Sequence, residues 1–138
     1  MPTADFPAIY ASLASISLFV EAEAQKLAFT SKERYQISLS VDEACANIID
    51  HAYSGETSAT IHLTALAEES RLLILIEDRG SPCDLDSIPE PDLTSPLEER
   101  RERGLGVYTM RQLMDEVRFE RLPDGRNRLT MVKYTRAG

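Results

Sequence analysis

Cysteine, histidine and basic residues are all scarce in this chain of 138 residues, and each shortage excludes a class of function. Two cysteines, Cys45 and Cys83, cannot build a disulfide framework, and neither has Cys or His neighbours at zinc-binding spacing. They read as buried or incidental thiols of a reducing compartment. With His51 and His62 as the only imidazoles, a histidine-rich metal site is also excluded. Lys and Arg total 15 against 23 Asp and Glu, a net charge of −8, the wrong sign for a module held by phosphate backbones. Nucleic acid is therefore not an expected partner. Any anionic ligand has to be met locally, by backbone N–H groups, a metal ion or a few placed basic residues. No run approaches the roughly 20 apolar residues of a membrane span. The opening MPTADFPAIY has no basic region followed by an apolar one, so no export signal is expected. The expectation is a soluble, cytoplasmic protein.

What is present is ordinary for a globular protein: 43% hydrophobic and 28% charged residues. The length fits one domain over residues 1–138 with one core. From Pro7 to about Phe29, Ile9, Leu13, Ile16, Val20 and Leu27 recur at helical spacing. A second helix is expected from Lys32 to Tyr53, with Thr30 and Ser31 as candidate N-caps, Arg34 at the capping-box position and Ser54-Gly55 as the stop. Thr57–Leu66 alternates and Arg71–Glu77 is continuously apolar, a hairpin around Glu68-Glu69-Ser70 with one buried strand. The stretch from Cys83 to Arg103 holds Pro89, Pro91 and Pro96 among acids and reads as a lid or a disordered loop. A short helix, Val107 to about Asp115, precedes two strands, Glu116–Leu122 and Asn127–Tyr134, joined by the turn Pro123-Asp124-Gly125-Arg126. A short strand around Thr3–Phe6 would complete a two-layer α+β sandwich with three main helices on a largely antiparallel mixed sheet.

Three constellations carry chemistry. Glu43 and Asn47, in VDEACANIIDHAY, lie about 40° apart on the second helix and more than 100° from the centre of its apolar stripe. An amide oxygen can ligate a hard cation such as Mg²⁺, and a carboxylate one turn away can accept a proton from water or a hydroxyl. The competing reading is a solvated helix face. Asp78-Arg79-Gly80-Ser81-Pro82 follows an apolar strand: the acid can accept from an exocyclic amine, and the glycine lets backbone approach a flat ring. A plain turn accounts for the same residues. Arg103-Gly104-Leu105-Gly106-Val107 places two glycines at a helix start, where free N–H groups and the helix dipole can meet phosphates. It is neither a dinucleotide fingerprint nor a P-loop. Together the three describe a purine nucleotide site, with Mg²⁺ offsetting the triphosphate charge of an acidic protein.

In this order, VDEACANIIDHAY resembles the N box, IEDRGSP the first glycine box and RGLGVYTMRQLMDEV the second glycine box of the GHKL ATPase/kinase superfamily. Within it the chain is most similar to the RsbW-like anti-sigma factor serine/threonine kinases. The resemblance implies a Bergerat-type α/β sandwich, with Glu43 as general base and Asn47 as Mg²⁺ ligand. It implies Asp78 on the adenine amino group and Gly80 beneath the ring. Gly104, Leu105 and Gly106 would border an ATP lid at about 83–103 and bind phosphates. Arg103 would reach the γ-phosphate or be one more charge of EERRER. Thr130 would reach adenine through a water if strand parity allows. The implied cofactors are ATP and Mg²⁺, and the implied substrate is a STAS-type anti-sigma factor antagonist. A sigma factor is a further implied partner, and a homodimer is favoured by the resemblance alone. The alternative function is a nucleotide-binding module that sequesters a sigma factor or another regulator without significant kinase activity. The chain lacks the helical hairpin with a phosphoacceptor histidine that a complete histidine kinase carries.

Overall fold

RLLILIED is apolar on both sides, which suits a strand covered by neighbours, and in the computed structural model it forms the central strand of a five-stranded sheet. The structure describes residues 2–52, 59–79 and 105–135. In chain order these form β1 (Thr3–Pro7), a 3-10 turn (Tyr10–Ser12), α1 (Leu13–Ala24), α2 (Ser31–Asn47) and a π-helical turn (Ile48–Ala52). β2 (Thr60–Glu68), β3 (Arg71–Asp78), α3 (Leu105–Leu113), β4 (Glu116–Arg121) and β5 (Asn127–Tyr134) follow. The sheet order is β1-β2-β3-β5-β4. Every pairing among the described residues is antiparallel, in keeping with the largely antiparallel sheet that was expected.

All three helices lie on one face. Ile61, Leu63, Leu72, Ile74, Ile76, Leu129 and Met131 of the sheet meet Ile16, Val20, Ile37, Val41, Cys45 and Met110 of the helices. At roughly 1.5–3 kcal/mol for each large apolar side chain, this layer is the main source of stability. Phe6 of β1 meets Phe19 of α1 edge to face at 5.9 Å, closing the core on the β1 side.

Several boundaries differ from the sequence expectation, each for a local reason. The first helix begins at Leu13 rather than Pro7, because Pro7 still pairs with Thr60 and the Ala8 N–H donates to the Ala59 carbonyl at 2.9 Å. A proline fits there because β1 is an edge strand. That helix ends at Ala24 rather than Phe29, as Lys26 and Leu27 switch to bonds three residues back, on Glu23 and Ala24. Thr30, not Ser31, is the N-cap of α2, so the capping-box position falls on Glu33. The Glu33 N–H donates to Thr30 Oγ1 at 3.1 Å, and the Thr30 N–H to Glu33 Oε1 at 2.9 Å. Regular α2 geometry stops at Asn47, and the expected continuation becomes the π turn. α3 starts two residues before Val107 and stops at Leu113, since the Asp115 N–H joins the sheet by donating to the Val132 carbonyl. Gly125 holds φ +91° in the β4–β5 turn, a conformation that favours glycine. The segment 83–103 lies outside the described residues.

One buried carboxylate closes an open stretch of sheet. β1 covers β2 as far as the Ala65 N–H, which donates to the Pro2 carbonyl, and the next inward-pairing donor, the Ala67 N–H, reaches Glu23 Oε2 of α1 at 3.0 Å. Burial raises the pKa of Glu23, but the Lys26 ammonium at 2.5 Å and the Ala67 N–H more than offset this and hold it below the ordinary 4.5. A lowered folded pKa contributes stability that is present above 4.5 and lost as pH falls through the folded value. Glu23→Ala is therefore expected to lower the unfolding free energy by about 1–3 kcal/mol at pH 7, the cost of an unpaired buried N–H. In urea titrations the gap between parent and variant should narrow below pH 4.5; a gap that stays constant would show that Glu23 acts only by packing.

Candidate functional site

The open end of the β3–β5 ladder gathers the polar groups that the apolar core excludes. β3 ends at Asp78, whose side chain falls on the helix-covered face with Leu72, Ile74 and Ile76, and which is only 7% exposed. Asn127 opens β5 directly opposite. Its Nδ2 donates to Asp78 Oδ1 at 3.1 Å, while its Oδ1 accepts from Arg121 Nη1 at 2.9 Å. The other face of the same strand ends holds Glu77, whose Oε2 accepts from Arg126 Nη1 at 2.9 Å and Arg128 Nη2 at 3.2 Å.

Above Asp78 lies the last third of α2. The fully buried Cys45 thiol is pushed up to about 12, by burial first and then by the negative charges of Asp42 and Asp78. Asp78 therefore faces the turn of α2 between Glu43 and Asn47. Both of these side chains are half-buried, one turn apart on the flank that carries the buried Ser40. Asp42, beside them, has its carboxyl pushed upward by burial, and its Oδ1 has no hydrogen-bond partner among the described residues. The π turn begins immediately after Asn47. Such turns are frequent at functional positions.

α3 packs on this same flank of α2. Lys133, on the inner face of β5, donates to the carbonyl of Leu113 at the last turn of α3 and to Gln36 Oε1 of α2 at 3.2 Å. Its ammonium meets the negative end of the helix dipole. Since α2 has little more than one turn before Gln36, the length of α3 packed on it extends toward Glu43 and Asn47. The amino end of α3, at Leu105 and Gly106, is thereby directed to the Asp78 end of the molecule.

The structure thus sets Asp78 beside the α2 turn that carries Glu43 and Asn47, with the amino end of α3 directed toward the same end of the molecule. Gly80, Arg103 and Gly104 lie outside the described residues. Thr130 is a correction: parity places it on the sheet face away from the helices, opposite Leu75, so the sheet separates its hydroxyl from Asp78. Asn127 stands where Thr130 was expected. The sequence reading passed over it because only the β3–β5 register reveals that it faces Asp78. Among the described residues no three His, Cys, Asp or Glu side chains group to hold a metal ion. A single amide oxygen with one carboxylate a turn away fits Mg²⁺, which keeps several waters and binds through phosphates as much as through protein. No helix among the described residues is long and apolar enough to cross a membrane.

A helical layer on an antiparallel sheet, with an acid at a strand end below an Asn-bearing helix, defines the class: residues 6–133 match the family described as Histidine kinase-like ATPase domain. The chain is 32% identical over 123 residues to serine-protein kinase RsbW of Halalkalibacterium halodurans, covering 86% of this chain and 74% of that protein. It therefore belongs to the RsbW-like serine-protein kinases, a GHKL family of ATP-using enzymes. Two solved structures share the fold. The RsbU and RsbW domains of a Mycobacterium tuberculosis protein superpose with a TM-score of 0.62 at 14% identity, over 97% of this chain and 32% of that one. The SiaB–SiaC complex of Pseudomonas aeruginosa gives 0.57 at 15% identity, over 96% of this chain and 89% of that one.

The thiol at the base of this site should be inert. With its pKa pushed to about 12, Cys45 is expected to stay unmodified by iodoacetamide at pH 8 in the folded protein and to react once urea exposes it, as read by peptide mass spectrometry. Labelling of Cys45 under native conditions would mean that α2 opens at this point.

Proposed function

We propose that this protein transfers the γ-phosphate of ATP to a serine or threonine hydroxyl of a STAS-type anti-sigma factor antagonist, as one arm of a partner-switching circuit. The observation that supports this reading is the placement of Asp78 beside the α2 turn of Glu43 and Asn47, with the amino end of α3 directed toward the same end of the two layers. Asp78 accepts a hydrogen bond from the exocyclic amine of adenine. Asn47 would hold Mg²⁺ through its amide oxygen, and the cation would offset phosphate charge. The first N–H groups of α3, at Leu105 and Gly106, meet phosphate oxygens with the helix dipole behind them.

Glu43 takes the proton of the acceptor hydroxyl as its oxygen bonds to the γ-phosphorus. The bond from that phosphorus to the β–γ bridging oxygen breaks, and ADP leaves with the electron pair. Most of the rate enhancement comes from positioning and charge neutralisation, as in other phosphoryl transfers. Product release is assisted by charge. A phosphate adds about −1.5 to −2 at pH 7, and the kinase itself carries −8.

Three experiments test this. Calorimetry should give binding of ATP and ADP that strengthens with Mg²⁺; no binding of either nucleotide would sink the reading. Glu43→Ala should abolish phosphotransfer to a STAS-domain substrate, followed with radiolabelled ATP, while nucleotide affinity changes less than about threefold. Unchanged transfer in that variant would remove Glu43 from the role of base. Asp78→Asn should weaken ATP binding by about 1.5–3 kcal/mol, the worth of a charge-assisted hydrogen bond; calorimetry that returned the parent's affinity would take Asp78 out of the base pocket.

A further inference from the structure

Asn127 is a polar residue at the start of a strand whose other inward positions are Leu129, Met131 and the helix-capping Lys133. Nothing in the core requires an amide there. Its two ends are used in opposite senses, Nδ2 donating to Asp78 at 3.1 Å and Oδ1 accepting from Arg121 at 2.9 Å, so the Arg121 guanidinium fixes which end of the amide faces the carboxylate. Arg121 is itself placed by register, opposite Asn127 on the adjacent strand β4. The three side chains form one directed chain along the inner face, guanidinium to amide to carboxylate.

We propose that Asn127, oriented by Arg121, is a positioning residue that holds the Asp78 carboxylate as a fixed acceptor, and so sets the preference of the site for adenine over guanine. The inference rests on the nucleotide-binding reading above. A purine is recognised at this position by what it offers the carboxylate: adenine presents an exocyclic amine at C6, where guanine presents a carbonyl oxygen. A carboxylate that only accepts will bind the first and repel the second. Donation from Asn127 to Oδ1 ties the carboxylate to the opposite strand. It also stops the carboxyl group from rotating about its terminal torsion, which is otherwise soft.

The test is a set of substitutions at one position. Asn127→Asp keeps the size and shape and keeps an acceptor for Arg121, but it turns an oxygen toward Asp78. Two facing carboxylates then repel each other, and Asp78 is no longer held as a fixed acceptor for the adenine amine. Calorimetric titration with ADP and GDP in Mg²⁺ should show ADP affinity falling about 10- to 100-fold, with the ADP-to-GDP affinity ratio falling in the same variant. Asn127→Thr, which restores a hydroxyl donor, should bind ADP within about threefold of the parent, whereas Asn127→Ala should not. The Thr and Ala variants keep the question answerable if the Asp variant fails to fold. A merely structural Asn127 would lower affinity for both nucleotides equally and leave their ratio unchanged, and that result would overturn the proposal. Parent protein that binds neither nucleotide would overturn the underlying reading and this proposal with it. A parent that binds ADP beside an Asp variant with the same affinity and ratio would overturn this proposal alone.

Discussion

The register of β3 against β5 decides where every polar group at the open end of the sheet points. Asp78 lies opposite Asn127, Glu77 opposite Arg128 and Ile76 opposite Leu129. A slip of one residue would exchange the two faces, sending Asp78 to the outside and Glu77 beneath the helices. The apolar pairs Ile76–Leu129 and Ile74–Met131 resist this from within the core. On the outer face Glu77 resists it as well, since its buried carboxylate is bonded by both Arg126 and Arg128. Two acids adjacent in sequence therefore serve opposite ends: Glu77 locks the strands, and the same lock presents Asp78 to the site.

Several buried charges among the described residues are met by dipoles and amides, not by opposite charges alone. Asp78 is held by an asparagine amide, and Lys133 by a helix carbonyl and a glutamine. Glu23 takes a backbone N–H as well as the exposed Lys26. Such partners satisfy a charged group without neutralising it, so Asp78 keeps the field that lifts the Cys45 thiol. Lys133 illustrates the mechanical side of the same arrangement. By tying the last turn of α3 to α2 and to the inner face of the sheet, it sets the direction in which the helix offers its amino end.

How much of this was legible in the sequence depended on how local each signal was. The helices, both hairpins and the positions of Glu43, Asn47 and Asp78 followed from periodicity and motif order, because a helix face or a strand end is specified within a few residues. Thr30 and Ser31 were both candidate caps of α2, and the capping-box position was put one residue late, at Arg34, because the two are equally good caps in isolation. Only the Glu33 side chain folding back on Thr30 decides between them. Pro7 read as a helix start because the pairing that makes it an edge residue lies more than fifty positions away, at Thr60. Thr130 and Asn127 were exchanged for the same reason: which face a β5 residue takes is fixed by its partners on β3, not by β5 itself. Asn127 carries no motif, and its neighbours Arg126 and Arg128 suggested only an exposed charged stretch.

The choice of an amide at position 127 follows from what a base-recognising acid needs. An arginine there would grip Asp78 as a fork, engaging both carboxylate oxygens and competing with an incoming amine. An apolar residue would take away the cross-strand donor of a carboxylate that is only 7% exposed. Asparagine lies between these, donating one neutral hydrogen bond to one oxygen. Arg121 is linked to Asp78 through this amide. The positive charge thereby orients the acceptor without cancelling it, in a protein whose net charge of −8 gives no general attraction to nucleotide phosphates. Recognition at such a site has to come from short, directed contacts, and the Arg121–Asn127–Asp78 chain is the most fully directed of those described.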